Sequence, residues 1–270
     1  MNLITTTKQI LVRFFADRFY DQSAQMAYYL MLSLFPFLIF LFSLISFLQI
    51  DPDNILVMIE PFAPHDTYIV VRNTLESILD KGRGELLSFS LIAAFWLASM
   101  AIQSLVRSLN KAYDIKRKQS FFLQGVISDL LLTLGFMIIF SFSLLVPIIE
   151  DFIRTYVLTR VTVDELWYRL WFLTRWGLGT LFLYLFFSIL YKVVPSIRVP
   201  WRGVFPGALF ATIGWQVVSI VFSRFAGIGN YAEFYGQLGS IIALMVWFYL
   251  TAVVLLIGGM INASLYKKQP

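Results

Sequence analysis

The chain has 270 residues, of which 59% are hydrophobic and 14% charged, with a net charge of +5. Soluble domains carry about 25% charged residues, so this much apolar surface calls for a solvent other than water, and composition points to one polytopic membrane domain over 1–270. The absence of cysteine removes disulfide and thiolate chemistry. The basic residues are dispersed rather than gathered in one patch, so no nucleic-acid partner is expected.

In chain order, the first stretch is not a secretory signal, because residues 1–23 lack an apolar region ahead of a small-residue cleavage site. "ILVRFFADRFYD" (10–21) instead sets Ile10, Leu11, Phe14, Phe15 and Arg18 around a helix with one apolar side, expected to lie flat on the inner membrane surface. A hydrocarbon core about 30 Å thick needs roughly 20 apolar helical residues. Six stretches meet that requirement: about 24–49, 86–108, 122–149, 170–194, 203–225 and 238–265. The fold class expected is therefore all-α, with six transmembrane helices. Arg169 and Arg175 interrupt the start of the fourth, where their long stems can carry the charge to the headgroups. The 50–85 connection contains "TYIVVRNTLESILD", with Ile69, Leu75, Ile78 and Leu79 near helical spacing, expected as a short external amphipathic helix. No internal repeat is evident, so symmetry gives no argument for an inverted-repeat transporter.

Basic residues set the direction. The N-terminus, the 109–121 and 195–202 connections and the C-terminus, with the adjoining span ends, hold 13 Lys or Arg and 3 Asp or Glu. The opposite side holds 8 and 12. "RSLNKAYDIKRK" (107–118) is the densest basic run, so both termini are expected in the cytoplasm.

Polar groups inside the spans carry the functional expectation. Asp129 sits about eight residues into the third span, roughly 12 Å deep. An ionised carboxylate there costs on the order of 2.5–3.5 kcal/mol, so it needs a partner or a proton. Arg107 and Gln103, one turn apart on the second span, lie at comparable depth, and the bland alternative is a static pair locking two helices. Tyr28, Tyr29 and Ser33 in span one and Asn262 in span six fall in the same half of the membrane. With Gln216 as a floor in span five, these groups suggest a wet, cytoplasm-facing cavity. Pro36 is expected to kink span one. Gly203, Gly207 and Ala211 form a ladder of small residues that permits close helix approach. "GIGNYAEFYGQLGS" (227–240) reads as a simple external turn ahead of two alternatives, a re-entrant cap or a lipid-anchoring loop.

Enzyme signatures are missing from the sequence. His65 is the sole histidine, so a zinc or binuclear hydrolase centre has no ligand set. No phosphate-binding loop, nucleophile elbow or dinucleotide-binding glycine pattern occurs. "DPDN" around Asp51 and Asp53 reads as a turn rather than a magnesium site. No cofactor, metal or catalytic residue is expected.

"AQMAYYLMLSLFPFLIFL", "SLVRSLNKAYD", and "VPWRGVFPGALFATIGWQ" followed by "YGQLGSIIALMVWFYLTAVVLLIGGMINA" resemble, in order, the signatures of the YihY/virulence factor BrkB family of bacterial inner-membrane proteins. The resemblance covers nearly the whole chain. It implies six transmembrane helices with both termini cytoplasmic, but no established activity and no catalytic residues to carry over. Polar residues within the matching motifs are Tyr28, Tyr29, Ser33, Asn110, Tyr113, Tyr235, Trp247 and Asn262. Some members bear a tRNA-processing ribonuclease label, which one isolated histidine cannot support. The expected function is a transporter or flippase-like protein for a lipid headgroup or small polar solute. A non-transporting envelope scaffold is the alternative, and an intramembrane enzyme the weakest possibility. The lipid bilayer is the one partner expected; oligomeric state is open.

Overall fold

The computed structural model describes residues 3–47, 83–115, 130–136, 138–139, 165–228 and 237–266. The described residues are helical, with turns and bends between, and contain no strand. Six long elements follow in order: α1 (Leu3–Ala16), α2 (Phe19–Phe47), α3 (Arg83–Ala112), α4 (Glu165–Val193), α5 (Trp201–Ile228) and α6 (Gln237–Tyr266). Among the described residues, four stretches are long and apolar enough to cross a membrane: Phe19–Phe40, Ser88–Ala112, Trp201–Arg224 and Ile241–Tyr266. Gly177–Val193 within α4 is a shorter apolar helix. The expected third span is represented among the described residues by the helical stretch at 130–136, and the external amphipathic helix, His65, "DPDN" and most of the 227–240 turn lie outside them.

One expectation is corrected at the N-terminus. The 10–21 stretch is not a single helix, because α1 stops at Ala16 and α2 starts at Phe19. Arg18 adopts the left-handed conformation, φ 54°, and its N–H reaches back to the Phe15 carbonyl at 3.1 Å. A non-glycine residue in that region ends a right-handed helix. Gln22 then closes the junction, its side-chain amide donating to the Asp17 carbonyl.

The chain divides into two compact units. Residues 1–31, 100–132 and 161–270 form the first, and residues 32–99 and 133–160 the second. In the first, α5 packs along both α6 and α4, and α1 lies against α6. Spacing explains which faces meet. On α2, Phe19, Ser23, Met26 and Ala27 are buried at intervals of three or four. Leu105, Leu109 and Ala112 of α3 and Ala252, Leu256, Met260 and Ala263 of α6 repeat the pattern. The opposite face of α5 exposes Leu209, Ile213, Val217 and Val221, each more than half accessible. In water that stripe would favour aggregation, whereas hydrocarbon solvates it well.

The second unit includes the later part of α2 and the earlier part of α3, and α2 remains helical through Pro36. Its buried residues include Ser33, Ala94 and Ser99, the last donating to the Trp96 carbonyl at 2.7 Å.

Candidate functional site

Within the first unit, the C-terminal ends of α3, α4 and α6 meet the start of α5. Glycine permits this crossing. A Cβ on Gly207 would strike the Gly258 carbonyl oxygen and the Asn262 side chain, and one on Gly258 would strike the Tyr191 hydroxyl. A Cβ on Gly259 would strike Leu109. The small residues of α5 therefore work as the spacing suggests: Gly203, Gly207 and Ala211 are all buried, and two backbones touch where side chains are missing.

Polar side chains fill the crossing. Asn262 is fully buried, and its Oδ1 accepts the Gly207 N–H at 2.7 Å. Its Nδ2 finds no partner among the described residues. Tyr191, also fully buried, donates from its hydroxyl to the Leu255 carbonyl at 2.7 Å. Tyr113 follows directly after α3, with its ring edge-on to Tyr266 at 5.7 Å. Its hydroxyl is buried and also without a partner among the described residues. Burial, and secondarily the neighbouring Tyr266, pushes the Tyr113 hydroxyl well above its ordinary range, so it stays protonated at physiological pH. An unpaired buried polar group costs about 1–3 kcal/mol. One of the two lies on α6 and the other directly after α3, both in the first unit.

Around this junction the connecting segments are tied down. Asn110 and Ser196 exchange two 2.8 Å hydrogen bonds, Asn110 Nδ2 donating to Ser196 Oγ and Ser196 N–H to Asn110 Oδ1. Lys192 donates to the Val199 carbonyl and lies 5.6 Å from the Trp201 ring centroid. Arg13 caps the end of α3, donating to the Ala112 carbonyl at 3.0 Å and to Asp114 Oδ1 at 2.5 Å. It also pairs with Asp17 at 3.2 Å. Lys111 donates in turn to the Asp17 carbonyl. The α1 segment, the residues after α3, the loop after α4 and the end of α6 are thereby gathered at one end of the unit. These are the same four segments in which basic residues predominate. Lys8, Arg18, Arg107, Lys111, Arg198 and Arg202 are exposed.

The expected site residues divide. Asn262 is at the centre of the junction. Tyr28, 52% exposed, and the half-buried Tyr29 stand together on α2 with ring centroids 5.7 Å apart. One turn earlier, Gln25 Oε1 accepts from Ser104 of α3 at 3.4 Å. Gln103 is half-buried and Arg107 exposed. Gln216 lies nine residues beyond Gly207, about 14 Å along α5, and donates to Thr180 of α4 at 2.7 Å. Ser33 is buried in the second unit. Asp129 lies outside the described residues. Tyr191, Tyr266 and the Gly258–Gly259 pair were missed by sequence reasoning. The signal available was two glycines spaced one turn ahead of Asn262 in an otherwise apolar helix. Among the described residues no group of three His, Cys, Asp or Glu side chains is placed to hold a metal.

The virulence factor BrkB family model matches residues 10–270. The chain belongs to this family. It is 38% identical to the ribonuclease-like protein YfkH of Bacillus subtilis (strain 168), over 97% of this chain and 95% of that one. A UPF0761 membrane protein of Tolumonas auensis is 27% identical, with 95% of this chain and 84% of that one covered. Another, of Aliivibrio salmonicida, is 28% identical over 94% and 80%. No solved structure matches the chain. Family and apolar helices together make this a multi-pass membrane protein of the BrkB family, embedded in a lipid bilayer.

Proposed function

We propose that this BrkB-family protein is a transporter of flippase type, taking a lipid headgroup or small polar solute at the cytoplasmic end of its bundle. One observation carries the proposal: the buried donors Asn262 Nδ2 and the Tyr113 hydroxyl, one on α6 and one directly after α3, have no hydrogen-bond partner among the described residues. Packing alone gives no return for burying them, whereas a passing phosphoryl, carboxyl or hydroxyl oxygen would pair with both kinds of donor. The exposed arginines and lysines at that end favour an anionic group. Tyr28, Tyr29, Gln103 and Arg107 would line the approach, and Asp129 would bridge to Arg107 or Gln103 when ionised and take up a proton from water when that bridge opens. The topology that goes with this reading is a single membrane domain of six spans, with both termini cytoplasmic and α1 on the inner surface.

No enzymatic activity is proposed. The ribonuclease-like name of the Bacillus relative stays with that protein; here the sequence holds a single histidine, and among the described residues no three His, Cys, Asp or Glu side chains are placed to hold a metal. The scaffold reading rests on a different observation, the interlock of Gly207, Gly258, Asn262 and Tyr191, which would hold helices together whatever the protein moved.

Reconstitution in liposomes with a panel of labelled lipids and solutes separates the two readings. Transport predicts flux by the wild type that Tyr113→Phe and Asp129→Asn reduce at least tenfold while both variants remain folded. Absence of flux for every compound, or unchanged flux in both folded variants, would overturn transport through this site.

A further inference from the structure

α1 carries an exposed apolar surface. Leu11, Val12 and Phe15 are 51%, 60% and 63% exposed, while Phe14 between them is 7% exposed. At 3.6 residues per turn the three fall within about 100° of one another, and Lys8 lies in the same arc. Tyr20, at the start of α2, extends the patch, its ring 6.2 Å from Phe15. The packed side is elsewhere: Arg13 is drawn onto Ala112, Lys111 and Asp114, and Phe14 stacks near Phe19.

Charge distinguishes among possible occupants. The helix Leu3–Ala16 contains Lys8 and Arg13 and no acidic residue. Arg13 is neutralised by Asp17 and Asp114. Lys8, Arg18 and Lys111 are exposed, and Asp21, directly after Tyr20, is an exposed acid set against them. An apolar strip edged by lysine and arginine suits the interface of an anionic leaflet, where acyl chains take the side chains and headgroups take the cations. A second copy of the same basic helix would meet like charge.

We propose that α1 is a lipid-docking arm: Leu11, Val12, Phe15 and Tyr20 seat at the acyl–headgroup boundary of an anionic leaflet, with Lys8 and Arg18 on its headgroups. The leaflet being the cytoplasmic one rests on the topology proposed above. Because Arg13 ties the arm to the last carbonyls of α3, docking also sets the position of the segment that carries Tyr113.

The chain has no cysteine, so single-cysteine labelling needs no background removal. Val12→Cys, Phe15→Cys and Gln9→Cys, the last turned about 120° from Phe15, are made in the full chain. Each is spin-labelled and placed in nanodiscs of phosphatidylcholine alone or with one-third phosphatidylglycerol. Docking predicts that labels at 12 and 15 collide with dissolved oxygen in preference to an aqueous nickel chelate, that the label at 9 shows the reverse, and that the contrast shrinks severalfold without phosphatidylglycerol. Water-exposed labels at all three positions in anionic discs overturn the proposal. So does a short label-to-label distance between two copies, which would assign the patch to self-association, and so does a lipid contrast indifferent to headgroup charge. An impermeant maleimide applied to right-side-out and inverted vesicles reports the side of the membrane separately, so an error in topology is not confused with an error in docking.

Discussion

Replacing Gly207 by Ala tests whether the junction is held by backbone contact. The added methyl would meet the Gly258 carbonyl oxygen and the Asn262 side chain, and a main-chain atom of a packed helix cannot rotate away. α5 and α6 must separate, which overpacked cores resist at about 1–3 kcal/mol. The Gly207–Asn262 hydrogen bond is lost with the separation, adding about 0.5–1.5 kcal/mol. Alanine returns about 1 kcal/mol in helix propensity, leaving a net loss of about 0.5–3.5 kcal/mol. The same substitution at Gly179 meets nothing within 4 Å and keeps the propensity gain alone. Purified protein in one detergent, followed by intrinsic fluorescence on heating, should therefore show Gly207→Ala melting several degrees below the wild type and Gly179→Ala at or above it. Equal melting of the two variants would refute the close approach of α5 and α6.

Other perturbations probe different parts of the same end. Tyr191→Phe deletes the hydroxyl that satisfies the Leu255 carbonyl, and should cost about 0.5–1.5 kcal/mol in the same melt. Arg13→Gln should barely move the melting temperature, since partly exposed pairs contribute about 0–1 kcal/mol each; it should, however, speed proteolytic removal of α1 severalfold in limited digestion. Asn110→Ala breaks both bonds to Ser196 and should likewise expose the 194–200 loop to cleavage. Because burial raises Tyr113 above its ordinary value of 10.0, the fold favours the neutral phenol. Its contribution is complete below that pH and declines as pH rises beyond it, where the unfolded chain ionises first. Stability should fall more steeply above pH 10 in the wild type than in Tyr113→Phe, measured as melting temperature against pH.

Hydrophobic runs made α2, α3, α5 and α6 legible, because a bilayer demands length and apolarity together and little else in a sequence satisfies both. The ends were less legible: α2 begins at Phe19 and α3 continues to Ala112, beyond the apolar segments themselves, since a helix keeps its hydrogen bonds after leaving hydrocarbon. The break at Arg18 was invisible, because a left-handed arginine is set by tertiary contacts around Asp17 and Lys111 rather than by propensity. Asn262 and Gly207 could each be singled out from the sequence, one as an intramembrane amide and the other as a small-residue contact. That they bind one another depends on the register between α5 and α6, which no local pattern encodes. Tyr191 was passed over because a tyrosine near a helix end ordinarily reads as an interfacial anchor, yet here it is turned inward onto α6.

The most direct test is an experimental map of the protein in lipid at a resolution that shows bound water. An oxygen acceptor, from a water or a bound headgroup, is predicted within hydrogen-bonding distance of Asn262 Nδ2 and of the Tyr113 hydroxyl. A dry crossing in which apolar side chains close over both groups would contradict a polar site at this end of the bundle.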